Sequence, residues 1–449
     1  MIENHLPLLS LPKTPVVGTK PFDGDYLKRA ELAEKLTSYI DRLNSGAVIG
    51  LDAPWGEGKT WFGKNWSAKL EEDGYKTVYI DAFEQDYVED PFMLLAAELL
   101  AVTTDDVDAK TKIEQKAIGV LKATMTIGGK IGAGLFTKYI LGGVELGEEV
   151  EKVIADTSDE TVAYSSQLIE EKFKQYEQDK QTVSVFKEEL EQYAVKQDKP
   201  IVVFIDELDR CKPSFAVSII ERIKHFFDVP NVVFVLLLNK EQLEKAIQGV
   251  YGAETDGIAY LGKFVNIFLK LPKVKPTDYF SERNIERFVV TTFNKYNFPN
   301  TSQKAKLKSL LTFFSVQFKL SLRDIERVLT MFSFAYPIRH LDQILIYIVV
   351  LKQIDPKQFE LLVVNDTEAH KKMVEKFDVM LKINIEHGGS QKYLLTRLQD
   401  WHKACASNFE EKSEDFLQLH KLLAENFDDV PFTQMFEYFA KQIDLDMEN

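Results

Sequence analysis

The sequence predicts an α/β fold followed by an all-helical region. Three observations carry this. The runs AVIGLDA (47–53), IVVFI (201–205) and VVFVLLL (232–238) are apolar almost throughout, as strands buried on both faces of a parallel sheet must be. Between and after them, apolar residues recur with helical spacing. From Tyr279 onward strand patterns fade, and helical patterns run to the end with breaks near Pro299, Pro337, Pro356, His387-Gly388-Gly389 and Pro431.

Taken in order, residues 1–22 are proline-spotted and extended, and 24–44 read as a helix with Leu27, Leu32, Leu36 and Ile40 on related faces. AVIGLDA is the first strand, a glycine-rich turn and a helix follow, and TVYIDAF (77–83) is the second strand. PFMLLAAELL (91–100) opens on Pro91, which suits the first turn of a helix. Residues 160–195 read as a long amphipathic helix with Phe186, Leu190 and Tyr193 on one face. Alternation resumes at IVVFI, followed by a helix (214–228), VVFVLLL, a helix (240–250) and a last strand near Ile267–Leu271.

With 449 residues, 45% of them hydrophobic, the chain supports two or three packed domains. A net charge of −15 excludes a protein that coats nucleic acid through a general positive field. The two cysteines, Cys211 and Cys405, build neither a disulfide framework nor a thiolate zinc site, which fits a reducing cytoplasm. MIENHLPLLSLPKTP lacks the basic start and long apolar run of a signal peptide.

The decisive segment is Ala53-Pro54-Trp55-Gly56-Glu57-Gly58-Lys59-Thr60, with Trp61 after it. It fits the pattern GxxxxGK[ST] with Ala53 at the first glycine. Gly56 and Gly58 let backbone N–H groups turn toward phosphates, and the following helix aims its dipole at the same anion. Lys59 reaches the β- and γ-phosphates of ATP, and Thr60 offers a hydroxyl to Mg²⁺. The second segment is PIVVFIDELDRCKP (200–213). Asp206 ends a central strand at the edge where open α/β sheets bind ligands, opposite Thr60, and Glu207 is placed as general base for the attacking water. Arg210 either pairs with a local carboxylate or faces a neighbouring subunit's nucleotide.

These segments resemble the KAP P-loop NTPases. The matching pieces are WGEGKT (55–60), IDELDRCKP (205–213), VFVLLLNKEQLEKAI (233–247), YLGKFVNIFLKLP (260–272) and LSLRDIERVL (320–329), with DYLKRAELAEKLTSYI (25–40) as lead-in helix. The family more often has a second Asp where this chain has Glu207, a departure that favours hydrolysis. The resemblance implies a P-loop NTPase sheet of order 5-1-4-3-2, an ATPase with a helical lid, and an association with phage exclusion or other defence. It also implies a lid arginine at Arg323, one turn before Arg327; a salt-bridged surface pair is the alternative. Asn239 either orients water beside the γ-phosphate or caps the next helix. Asn239-Lys240-Glu241-Gln242 looks like a guanine-reading motif, but Gln242 lacks the necessary carboxylate, so ATP is expected over GTP. Arg29 reads as a solvated face residue in preference to a nucleotide contact, and Lys263 carries little signal.

The expected organisation is an extended segment (1–22), an ATPase core (23–100 and 198–278), a helical insertion (101–197), a helical lid (279–360) and a C-terminal helical region (361–449). Ala117–Gly147 holds eight of the 22 glycines, and Lys122, Lys130 and Lys138 cut it into uncharged runs of at most seven residues. A spanning helix needs roughly 18, so insertion helices or an oligomer or partner surface are expected over membrane contact. Two functional classes follow: an ATPase that drives or licenses a partner, and a nucleotide-gated oligomeric scaffold with little hydrolysis. A third, a membrane-surface organiser, would act through residues 117–147.

Overall fold

The computed structural model describes residues 17–88, 91–102, 186–224, 229–272, 279–296, 298, 302–336, 342–386, 391–407, 421 and 434–444. Two compact units divide the chain, over Pro15–Pro272 and over Lys273–Asn449.

In the first unit one sheet contains β1 (Ala47–Asp52), β2 (Lys76–Asp81), β3 (Ile201–Asp206), β4 (Val232–Leu238) and β5 (Ile267–Lys270). Its order is β2-β3-β4-β1-β5, the expected 5-1-4-3-2 read from the other edge. Every neighbouring pair is parallel. The apolar runs are explained by the two-residue period of a strand. On β4, Val233, Val235 and Leu237 join a core with Leu36 and Ile40 of α1 (Arg29–Ile40) and Phe62 and Trp66 of α2 (Lys59–Glu72). Val232, Phe234, Leu236 and Leu238 join a second core with Leu95 of α3 (Pro91–Ala101), Ile219 of the Pro213–Ile223 helix and Leu243 of the Lys240–Tyr251 helix. The edge strands β2 and β5 are only partly buried, so β2 carries Lys76 and Thr77 beside its buried Val78 and Ile80.

Close packing places α2 over the sheet. A Cβ on Gly63 would lie 2.2 Å from Leu237 Cδ1, so the helix approaches β4 more nearly than any side chain would allow. The buried Trp66 packs edge-on against Phe204 at 5.3 Å, and its indole N–H donates to Thr37 Oγ1 of α1 at 3.0 Å. Phe186, Leu190 and Tyr193 are buried in the second core, as their shared face implies. A short helix, Gly257–Leu261, lies where the sequence suggested no element. Residues 117–147, and with them the membrane question, lie outside the described residues. No helix among the described residues is long and apolar enough to cross a membrane.

The second unit is helical, with Tyr279–Asn294, Ser302–Gln317, Leu322–Ala335, Asp342–Ile354, Pro356–Val363, Thr367–Glu386, Lys392–Ala406 and Met435–Asp444. Residues from Ile285 to Ile443 share one hydrophobic core. Local signals set the boundaries. Ser321 and Asp324 form a reciprocal capping box at the start of the 322–335 helix. Pro356, with Asp355 as N-cap, opens the 356–363 helix at the expected break. The other expected breaks lie outside the described residues.

This core holds a buried polar chain. His370 Nδ1 and His402 Nδ1 are 2.8 Å apart, and His402 Nε2 hydrogen-bonds the Tyr347 hydroxyl. One shared proton satisfies the two Nδ1 atoms; two protons would set donor against donor. Burial pushes His370 down to about 4 and holds His402 well below the ordinary histidine range. Both imidazoles are therefore neutral in the fold, and stability present above pH 6.5 is lost as pH falls toward 4. Thermal unfolding followed across that window is expected to show a loss on the order of 2–3 kcal/mol that His370→Gln reduces. An unchanged pH profile in the variant would contradict the assignment.

Candidate functional site

The carboxyl edge of the sheet assembles the site. Parallel register brings three acids to it: Asp52 lies opposite Leu238, Asp206 opposite Leu237, and Asp81 opposite Asp206. Beyond β1 the chain enters the glycine loop. Gly56 and Gly58 have φ of 83° and 77°, backbone that L side chains rarely adopt, and this turns the loop back toward the sheet. Gly58 is the N-cap of α2 and has no capping side chain, so the first N–H groups of the helix are left for an external acceptor. Thr60 and Trp61 stand in this first turn.

Lys59 is buried, and its ammonium folds back to donate to Ala53 O at 2.9 Å and Pro54 O at 3.3 Å. Burial lowers its pKa, opposed by Asp209, Asp206 and Glu207. Trp55 is 47% exposed, and its indole N–H donates to Asp209 Oδ2. Asp209 Oδ1 accepts from Asn239 N at 3.1 Å, so the three-residue turn Leu208–Arg210 is tied both to the loop and to the end of β4.

Asp206 is 1% exposed. Burial raises its pKa, opposed by hydrogen bonds from Thr60, Tyr79 and the Glu207 amide. The Tyr79 hydroxyl donates to Asp206 Oδ2 at 2.9 Å, and Glu207 N donates to Oδ1 at 2.8 Å. Glu207 has φ of 61°, which turns its side chain back toward α2, where Oε1 accepts from Thr60 Oγ1 at 3.3 Å. Its Oε2 lies 2.5 Å from Arg210 Nη1. Burial raises the Glu207 pKa and Arg210 opposes that rise. The pairing with a local carboxylate is thus the one the structure contains.

The loop, Thr60, Asp206, Glu207 and Arg210 are therefore brought together. Asn239 is the N-cap of the 240–251 helix, its side chain accepting from Gln242 N at 3.5 Å. Arg323 lies in the first turn of the 322–335 helix of the second unit, where its charge and that of Lys295 oppose the burial-driven rise of the Glu326 pKa.

Two residues were not anticipated. Arg29 is not on a solvated face: it is 1% exposed, and its guanidinium donates to Glu57 O at 2.5 Å and Gly58 O at 3.1 Å. A signal was present, since Arg29 shares the i, i+4, i+7, i+11 stripe of buried Ala33, Leu36 and Ile40. Tyr79 gave no such signal, because its hydroxyl meets Asp206 only when β2 and β3 pair.

The oxygen donors fit a small hard cation: the Thr60 hydroxyl and the Glu207 and Asp206 carboxyl groups lie together beside the helix N-terminus. Among the described residues no group of three or more His, Cys, Asp or Glu forms a protein-only metal site. Magnesium needs none, since it keeps waters and phosphate oxygens as ligands.

Residues 29–339 match the model of the KAP family P-loop domain. The chain belongs to that family. Over 104 residues it is 26% identical to the phage T7 exclusion protein of Escherichia coli (strain K12), a match covering 23% of this chain and 14% of that protein. Among solved structures, the Aeropyrum pernix ORC2 protein in ADPNP–ADP complexes aligns at 13% identity and a TM-score of 0.34, covering 100% of this chain and 98% of that one. Its ADP form aligns at 12% identity and a TM-score of 0.36, covering 97% and 98%. In this KAP chain the P-loop carries Ala53 for the first glycine, and Glu207 follows Asp206.

Removing the hydroxyl that steadies Asp206 tests the site's energetics. Tyr79→Phe is expected to destabilise the protein by about 1–2 kcal/mol at neutral pH, because the buried Asp206 carboxyl group loses a hydrogen-bond donor. Urea unfolding measures it, and a wild-type midpoint in the variant would refute the coupling.

Proposed function

We propose that this chain is a Mg-ATP-hydrolysing KAP NTPase whose cycle drives or licenses a partner. The observation that carries this reading is the meeting of Thr60, Asp206 and Glu207 beside the uncapped N-terminus of α2. Backbone N–H groups of residues 56–60 take the β- and γ-phosphate oxygens, and the Lys59 ammonium leaves the Ala53 and Pro54 carbonyls for the same oxygens. Thr60 and Asp206 would hold Mg²⁺. Magnesium there supplies charge neutralisation of the phosphate oxygens. Glu207 orients a water for attack on the γ-phosphorus and takes its proton as the bond to the β–γ bridging oxygen breaks. Asn239 and Arg323 are further candidates for γ-phosphate contact.

One observation favours slow turnover by the isolated chain. Glu207 is ion-paired to Arg210, so its carboxylate is engaged by the guanidinium and not by a water. A nucleotide-gated switch, in which a partner or a second copy draws Arg210 away, is the second reading. The name of the phage exclusion relative supports a role in antiphage defence, tested by plaque counts with and without Lys59→Ala.

The deciding experiment is steady-state Mg-ATP turnover across protein concentrations, with Glu207→Gln beside the wild type. Turnover is expected to fall on the order of 100-fold or more in the variant while ATP binding persists. Wild-type turnover in Glu207→Gln would exclude Glu207 as base. Rates per subunit that rise with concentration would support an assembly-dependent enzyme.

A further inference from the structure

Arg29 is the one arginine among the largest fully buried side chains described. Burial lowers its pKa to about 10, with Glu57 and Asp25 opposing, so it is charged at neutral pH. Its Nε is buried without a hydrogen-bond partner. An arginine in this place costs desolvation that an apolar residue would avoid. Anchoring α1 does not require it: Ala33, Leu36 and Ile40 bury the same stripe, Trp66 donates to Thr37, and Phe22 N donates to Asn65 Oδ1 of α2 at 2.7 Å.

What the fork does reach is informative. It meets the carbonyls of Glu57 and Gly58, two consecutive peptide groups. A trans peptide is planar, with C=O and N–H pointing in opposite directions. Holding Glu57 O fixes the direction of the Gly58 N–H, and holding Gly58 O fixes that of the Lys59 N–H. Gly58 O is also held by Phe62 N at 3.0 Å, inside the helix, whereas the Glu57–Gly58 peptide lies before it. The fit is tight: a Cβ on Gly58 would stand 2.7 Å from Arg29 Nη1. The lead-in is built to deliver the guanidinium, with Asp25 Oδ2 accepting from Ala30 N at 2.8 Å at the start of α1.

We propose that Arg29 is a positioning residue of the phosphate site: its guanidinium holds the outer carbonyls of the P-loop so that the Gly58 and Lys59 amides face the anion. The inference rests on the nucleotide reading above. It also links the lead-in segment to the site, since any movement of α1 moves the loop's carbonyl partners.

The test measures Mg-ADP and Mg-ATP affinity by calorimetry on the full chain. Arg29→Ala is expected to weaken both by roughly 10- to 100-fold, as for one or two lost charge-assisted hydrogen bonds, and millimolar guanidinium ion is expected to restore most of it. Arg29→Lys keeps the stem and the charge but cannot fork to two carbonyls, and is expected to bind with intermediate affinity at unchanged thermal stability. Wild-type affinity in Arg29→Lys and Arg29→Ala overturns the proposal. So does a loss in folded Arg29→Ala that guanidinium does not recover, because the defect is then one of packing. Lys59→Ala serves as control. Wild-type protein that binds neither nucleotide sinks the nucleotide reading itself, while normal wild-type binding with indifferent Arg29 variants sinks this proposal alone.

Discussion

An uncapped helix N-terminus is the constraint on which the first unit depends. Gly58 takes a left-handed conformation and offers no capping side chain, so α2 begins with free donors. An anion there is stabilised by roughly 0.3–2 kcal/mol from the helix dipole alone, before any charged hydrogen bond is counted. Turning amides inward turns carbonyls outward, and these need donors of their own. Lys59 satisfies two from within the loop and Arg29 satisfies two from α1. The remaining architecture holds that arrangement at the sheet edge: Gly63 allows α2 to sit against β4, and Trp66 fastens α1 to α2.

The acidic side obeys a related constraint. Burial disfavours ionised Asp206, and hydrogen bonds to its carboxyl group oppose that effect. The donors from Tyr79, Thr60 and the Glu207 amide compensate, and they come from three separate elements. Glu207 has an added condition, because Arg210 and Thr60 both occupy its oxygens. Arg210 holds it from the Leu208–Arg210 turn. That turn is tied to Trp55 of the loop and to Asn239 at the end of β4 through the two oxygens of Asp209.

The helical unit is held differently. Its described buried residues from Ile285 to Ile443 share one core, and Tyr347, His402 and His370 form a hydrogen-bonded chain inside it. Neutral imidazoles sharing a proton at their Nδ1 atoms suit a core with Phe377, Trp401 and Phe436 around them better than a charged ring would. Arg323 belongs to this unit, in the first turn of the 322–335 helix near Glu326.

By itself the sequence determined the α/β class, the positions of β1, β3 and β4, and the pairing of a glycine loop with an acidic strand end. Each is written in local pattern: an unbroken apolar run in VVFVLLL, helical spacing after it, and chemistry confined to short runs of residues. The strand order followed from resemblance to a family rather than from any spacing. Only the tertiary structure decided what Arg29, Tyr79, Asp209 and Arg210 do. Their partners lie between 3 and 154 positions away, reached through strand pairing and helix docking. A charged residue on a helix is read as solvated because desolvation is costly. Arg29 reverses that reading because folding places two carbonyls where water would otherwise be.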